Sequence, residues 1–241
     1  MNLSRKMIPL STVLTCLFVT LMLLTDVPAP AQSLPPDVGL ITQLSGDVVY
    51  WNEGDQMKPA KAKGFMKIRL GDHIELTGGA MVRLVYFRSS LQETWRGPAA
   101  FIIGEERSQT RGKKETRVQP EVIVLPGGAT KGIRHVPALL QRAGIIGSSG
   151  MLVVRGGVES STKDSPVSTE GRAEIEAAKE VCKTLQNPSM ADDITVELNL
   201  LGVLTKYRQF EEMEKVLKKA VKKQPDNEIL TKLQEWVRNQ R

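Results

Sequence analysis

The side chains with most capacity for chemistry are few and scattered. His73 and His135 are the two histidines of the 241-residue chain. Neither has a second ligand at the short spacings that metal sites use. His73 follows the turn at Leu70-Gly71-Asp72 and reads as an exposed strand position. Cys182 is the one cysteine beyond the N-terminal apolar run, which holds Cys16. A lone thiol could act as a nucleophile or an intermolecular bridge. However, Ile175, Ala178, Cys182 and Leu185 share one helical stripe, where a free cysteine packs as a small hydrophobe. No Gly-x-Ser-x-Gly elbow is present. Gly127-Gly128-Ala129-Thr130-Lys131-Gly132 is glycine-rich, yet lacks the Gly-Lys-Ser/Thr that a phosphate-binding loop needs. Asp192-Asp193 and Glu211-Glu212 lie on predicted helices, where capping or solvation accounts for them. Nothing assembles a nucleophile, a base and an oxyanion donor. The expectation is a non-enzyme with no catalytic residue, cofactor or metal.

Charge is the next candidate for recognition. Glu105 to Gln119 interleaves Arg107, Arg111, Lys113, Lys114 and Arg117 with Glu105, Glu106 and Glu115. A glycan- or lipid-binding patch is one reading, and a solvated hairpin is the better one, since no aromatic residue accompanies the charges. Lys218, Lys219, Lys222 and Lys223 crowd the end of a predicted helix and complement its dipole. Lys206, Arg208, Lys218 and Lys222 are the candidate partner-binding residues, favouring an acidic partner. Aromatic residues make up 5% of the chain, which argues against a large aromatic-lined pocket.

Residues 1–31 fix the expected compartment. Arg5 and Lys6 precede an apolar run from Met7 to Leu24, and Ala29-Pro30-Ala31 places small residues where signal peptidase reads. An uncleaved membrane anchor is the alternative, because the run is about as long as a bilayer-spanning helix of roughly 18 residues. Only six residues precede the run, so no cytoplasmic domain is expected. Leu14-Thr15-Cys16 is a poor lipoprotein box. Cleavage after Ala31 leaves 210 of the 241 residues and takes the net charge from +6 to +5, through loss of Arg5, Lys6 and Asp26. Export makes nucleic acid a poor partner and leaves anionic glycans or lipid headgroups as candidates. The location expected is the periplasm or cell envelope.

From Gly39 to Ile103 short β-prone runs alternate with turns: Val48 to Trp51, Ile74 to Leu76, Met81 to Phe87, Leu91 to Trp95 and Ala100 to Ile103. Val122 to Leu125 and Met151 to Val154 read as further strands, with a short helix over His135 to Ala143 between them. Glu159 to Gly171 is a polar linker. Beyond it the period turns helical. Arg172 to Gln186 gives one helix. A second, capped by Asp192-Asp193, runs to about Tyr207 with Ile194, Leu198, Leu201 and Val203/Leu204 on its apolar face. Phe210 to Val221 and Ile229 to Val237 give two more. Leu198, Leu201, Phe210, Leu217 and Trp236 are expected to hold these helices together. The fold class expected is α+β: an antiparallel all-β module, then a small α-helical region.

The β region resembles the FecR domain, an extracytoplasmic module named after the bacterial ferric-citrate regulator. The resemblance is carried by Gly39-Leu40-Ile41, Leu44-Ser45-Gly46-Asp47-Val48, Leu70-Gly71-Asp72, Leu76-Thr77-Gly78, the Val82 to Phe87 strand and Gly97-Pro98-Ala99 with Phe101. Gly46, Gly71 and Gly78 suit turns where positive φ is allowed. The helical region is similar to a tetratricopeptide hairpin, with Leu200, Leu204, Phe210, Ala220-Val221 and Pro225 in a 34-residue frame. Leu201 and Arg208 stand where that pattern prefers glycine, and Met213 where it prefers a small residue. The organisation expected is a signal peptide at 1–31, a FecR-like domain at 39–158 with its core match at 39–103, a linker at 159–171 and a tetratricopeptide-like region at 172–241.

No counterpart of the regulator's cytoplasmic segment is expected, so a transmembrane relay is not implied. The function expected is a non-catalytic binding or scaffolding role in the envelope, with a protein partner docking on the helical region. An accessory sensor in extracytoplasmic signalling is the alternative, and a glycan-acting envelope enzyme comes last, since its paired carboxylates can come from distant positions. Limited proteolysis should cut first within 159–171. Early cuts inside 40–103 would refute that division.

Overall fold

A computed structural model describes residues 35–52, 58–111, 118–146, 167–184 and 191–240. The N-terminal apolar run, the strand expected at 151–154 and Leu185 lie outside the described residues. Ten strands are described, all antiparallel: β1 Asp37–Ser45, β2 Val48–Trp51, β3 Ala60–Lys61, β4 Lys67–Arg69, β5 His73–Leu76, β6 Met81–Tyr86, β7 Leu91–Arg96, β8 Ala99–Ile103, β9 Ser108–Thr110 and β10 Glu121–Val124. They form two five-stranded sheets, β10-β7-β6-β1-β4 and β3-β2-β5-β8-β9. A 3-10 turn at Ile133–His135 leads into α1 Val136–Arg142. Then come α2 Thr169–Thr184, α3 Thr195–Lys206, α4 Phe210–Lys223 and α5 Glu228–Arg238. The class is α+β.

The two sheets face each other across Ile41, Val48, Ile74, Leu76, Val82, Leu84, Tyr86, Trp95, Phe101 and Ile103. Trp95 stacks on Phe101 with ring centroids 4.1 Å apart. The first sheet is also covered on its outer face. Leu40, Phe65, Val85 and Phe87 belong to one core with Ile133, Leu139, Leu198, Leu201, Met213 and Leu217. Val82 to Phe87 is therefore buried throughout, although alternation would suit a half-exposed strand. The described residues make one compact unit, with sheets and helices sharing that core.

A register shift between Ile41 and Gln43 sets which β1 side chains meet the helices. The extra residue, Thr42, lets Gln43 pair with Arg83 on the helical face. Turn chemistry follows the expected glycines at Gly46 and Gly71, with φ of +75° and +84°. At the third turn the positive φ falls on Gly79, not Gly78, because this is the residue that leads directly into Ala80 and β6.

Among the helices α3 is the central one, buried along almost its full length, including Val196, Leu200 and Val203. The apolar face expected for it is thus one part of an all-round burial, as suits a helix enclosed by its neighbours. Ile194 occupies its N-cap position, while Asp193 Oδ1 accepts the Thr195 N–H at 2.9 Å. The expected acidic cap is therefore displaced by one residue, since Asp193 and Asp192 are drawn toward the sheet. Helix α2 starts at Thr169, so the last three positions of the expected linker are helical. Phe210 and Trp236 meet edge to face at 6.1 Å, and Leu198, Leu201 and Leu217 are fully enclosed.

The glycine-rich stretch at 127–132 serves packing. A Cβ on Gly132 would lie 1.8 Å from the Asn199 carbonyl oxygen, and one on Gly202 would lie 1.9 Å from the Gly132 carbonyl oxygen. Two backbones cross here at a separation that no side chain permits, and Asn199 Oδ1 accepts the Gly132 N–H at 2.9 Å. Gly202→Ala should lower stability by roughly 2–3 kcal/mol, as for other overpacked cores. Gly78→Ala, with open space around it, should stay within about 0.5 kcal/mol. Urea unfolding midpoints compare the two.

Candidate functional site

Two polar constellations stand out, one on each face of β7. The first is on the helical face, where Arg83 is 4% exposed. Its Nη1 donates to Gln43 Oε1. Its Nε donates to Thr94 Oγ1 at 3.2 Å. The guanidinium lies 3.7 Å from both Asp192 Oδ1 and Asp193 Oδ1. Gln43 Nε2 donates to Asp192 Oδ2 at 2.9 Å, and Gln92 Nε2 to Asp193 Oδ2 at 2.7 Å. From the other side, Lys223 Nζ donates to the Asp193 carbonyl at 2.9 Å and Gln224 Nε2 to the Asp192 carbonyl at 2.8 Å. Lys223 also pairs with Glu197 at 2.7 Å. A two-residue acidic segment thus ties the sheet to α3 and α4. Gln92 Oε1, Thr195 Oγ1 and Glu197 Oε2 are buried here without a hydrogen-bond partner among the described residues.

The second constellation opens between the sheets. At one side of the molecule both sheets end in edge strands, β10 in one and β9 in the other. The mouth between them is an open groove of about 710 Å³, lined by Leu91, Glu93, Trp95, Val122 and Val124 on one wall and by Arg107 to Thr110 on the other. Glu93 forms its floor at 2% exposure. Glu93 Oε1 accepts the Ser108 N–H at 3.1 Å and Oε2 accepts the Trp95 indole N–H at 3.0 Å. No lysine or arginine among the described residues pairs with it. Burial, and then the charge of Glu93, push the Tyr86 hydroxyl well above the ordinary tyrosine range. Tyr86 and Ser108 share a hydrogen bond of 2.7 Å. At the rim, Val122 is 49% and Val124 71% exposed.

The residues singled out in sequence have other settings. Lys206 pairs with Glu174 at 2.7 Å, Lys218 with Glu214 at 3.3 Å, and Arg208 and Lys222 are exposed. Lys206 and Arg208 sit at the α3–α4 turn, while Lys218 and Lys222 lie toward the far end of α4, roughly 12–18 Å away along its axis. They form two groups and not one patch. His73 is buried, correcting the exposed position expected for it, because it stacks on Trp51 at 5.2 Å. Arg111 Nη1 lies 3.2 Å from His73 Nδ1. Cys182 is half-buried, its Sγ–H donating to the Val196 carbonyl at 3.1 Å. Burial, and then Glu197, push its thiol up to about 11, so it is held as a thiol. Burial, and then Lys206, lower the pKa of His135. In the polar hairpin, β9 forms at Ser108–Thr110, and Arg88 pairs with Glu105 and Glu106; residues 112–117 lie outside the described residues. Sequence reading missed both Arg83 and Glu93. The one signal was a charged residue inside an apolar β run, Arg83 between Val82 and Leu84.

Comparison of the chain with protein-family models, curated proteins and solved structures returns no match. Among the described residues no group of three or more His, Cys, Asp or Glu could hold a metal ion, and no helix is long and apolar enough to cross a membrane.

The junction gives a pH prediction. Burial acts to raise the Asp192 carboxyl, but the Gln43 amide and the Arg83 guanidinium outweigh it, so its pKa lies below the usual aspartate value. A depressed folded pKa stabilises fully above the unfolded value of about 3.9 and loses that contribution as pH falls through the folded value. Asp192→Asn should therefore flatten the acid-side decline of the urea midpoint below about pH 4. Arg83→Met should cost roughly 2–4 kcal/mol at neutral pH, toward the lower part of the range for a broken buried pair because Asp192 is half-exposed.

Proposed function

We propose that this chain is a non-catalytic binding or scaffolding protein of the cell envelope, whose recognition surface is the mouth between its two sheets. One observation carries the reading. The strand β10 leaves Val122 and Val124 exposed at the rim of an open groove. Solvated apolar side chains beside an unpaired strand edge are a liability that natural proteins ordinarily blunt. Here the lining is also convergent, with two valines, a leucine and a buried carboxylate facing one space.

The export reading of residues 1–31 supports the envelope location. The FecR-like and tetratricopeptide-like assignments belong to the same proposal. Supporting the first, Gly39-Leu40-Ile41 and the Val82 run lie on neighbouring strands, β1 and β6. For the second, α3, α4 and α5 pack in sequence order as short-loop neighbours. The two cationic groups remain secondary sites for an acidic partner, and the geometry favours the groove because Lys206 and Lys218 are already paired.

A sensor role draws on a separate feature. Gln92 and Glu93 are chain neighbours that face opposite sides of β7, one holding Asp193 and the other flooring the groove.

The test uses the full chain as bait on envelope extracts. Val124→Lys should cut partner capture at least about tenfold, the loss of one central contact of roughly 1.4 kcal/mol. Lys218→Glu with Lys222→Glu should leave capture intact, and the melting temperature should hold in all three proteins. Capture that survives Val124→Lys and fails with the charge reversals would move the recognition surface to the helices.

A further inference from the structure

The edge of β10 has a definite hydrogen-bonding direction. The Leu125 N–H donates to the Ser90 carbonyl at 2.9 Å, extending the β7 ladder. In an antiparallel ladder, alternate residues turn both backbone groups to the same neighbour. Leu125 and Ile123 therefore face β7, and the N–H and C=O of Val124 and Val122 face away from it. Among the described residues β10 has no strand on that side. The opposite edge, β9, is a poorer template. It has three residues, all polar, and its Ser108 N–H is engaged by Glu93.

Side chains add a pattern to this free edge. Val122 stands opposite Glu93 in register, and Val124 opposite Leu91. All four line the groove. A strand laid along β10 would direct every second side chain into the same space. Its position across from Val124 would meet valine and leucine. Its position across from Val122 would be two strand spacings, roughly 10 Å, from the Glu93 backbone. That gap is bridged by a glutamate and a long basic side chain together. Among the described residues Glu93 has two neutral donors, while a carboxylate accepts about four hydrogen bonds. A buried carboxylate without a cation is costly unless one arrives with a partner.

We propose that the mouth binds an extended peptide as an added strand on β10, with an apolar side chain against Val124 and a lysine or arginine reaching Glu93. This rests on the binding reading above and names its partner class. Main-chain pairing would supply affinity, and the apolar and acidic subsites would supply specificity.

The probe is a capped eight-residue peptide, SVTKTVTS, whose inward face reads Val-Lys-Val, with SVTETVTS as its control. Nitrogen-15-labelled protein is followed by NMR titration and amide hydrogen exchange. The lysine peptide should slow exchange at the Val122 and Val124 amides and bind at least about tenfold tighter than the glutamate peptide, the worth of one ion pair. Glu93→Gln, which keeps the shape and the acceptor oxygen, should erase that preference. The wild-type exchange data stand alone if the variant folds poorly. Unchanged exchange at both amides, no binding, or a lysine preference that survives Glu93→Gln overturns the inference. So does a dimer in solution that protects these amides without peptide, which would assign the edge to a second copy. If Val124→Lys abolishes capture from extracts while the amides stay unprotected by peptide, the groove is a binding site for another chemistry, and this inference alone falls.

Discussion

A buried guanidinium governs the architecture. Arg83 sits in the middle of a central strand, enclosed on both faces, and removing its charge from water is costly without partners. The sheet supplies neutral acceptors from Gln43 and Thr94, and among the described residues the charge is balanced by Asp192 and Asp193. Those residues come from the start of the α3 segment, more than a hundred positions later in the chain. The outer face of the first sheet and the helical layer are therefore interdependent.

Apolar packing points the same way. Leu40, Val85 and Phe87 would form an exposed stripe on an isolated two-sheet module, and Leu198 with Ile133 would form another on isolated helices. Docking removes both stripes from water. The crossing of Gly132 and Gly202 packs α3 tightly against the 3-10 segment, which itself lies on β1. Arg134 reinforces the seam by lying over the Phe87 ring at 4.9 Å and donating to its carbonyl at 3.0 Å. The polar junction fixes the register of the docking, while the apolar seam supplies most of its favourable free energy.

The same strands have a different environment at the groove. Burial there is incomplete, because β10 and β9 end their sheets on the same side and leave the inter-sheet core open. Glu93 belongs to a core position by its place in β7, yet it holds a carboxylate at the floor of an accessible space. Arg83 has carboxylates as partners, whereas Glu93 has no cation among the described residues, and such breaks of local consistency concentrate where proteins bind something. In the helical layer, by contrast, Lys206 and Lys218 are already paired with Glu174 and Glu214.

By itself the chain determined the longer strand runs, the helices and the change of period between them, because each depends on local spacing of apolar residues; the short strands β3, β4 and β9 carry no such spacing. Val82, Leu84 and Tyr86 marked β6, and Ile229, Leu233 and Trp236 marked α5. Local sequence also placed the turns at Gly46 and Gly71, where backbone freedom is needed. Tertiary structure decided the rest. Period two shows that Arg83 and Leu84 face opposite ways, but not that both faces are covered. A one-residue bulge at Thr42 decided that Gln43 would meet Arg83. His73 became a buried, stacked residue only when β2 paired beside β5. The groove residues Glu93 and Val124 lie far apart in sequence, and their meeting depends on which strands end each sheet. Strand order is set by long-range pairing, and no local spacing encodes it.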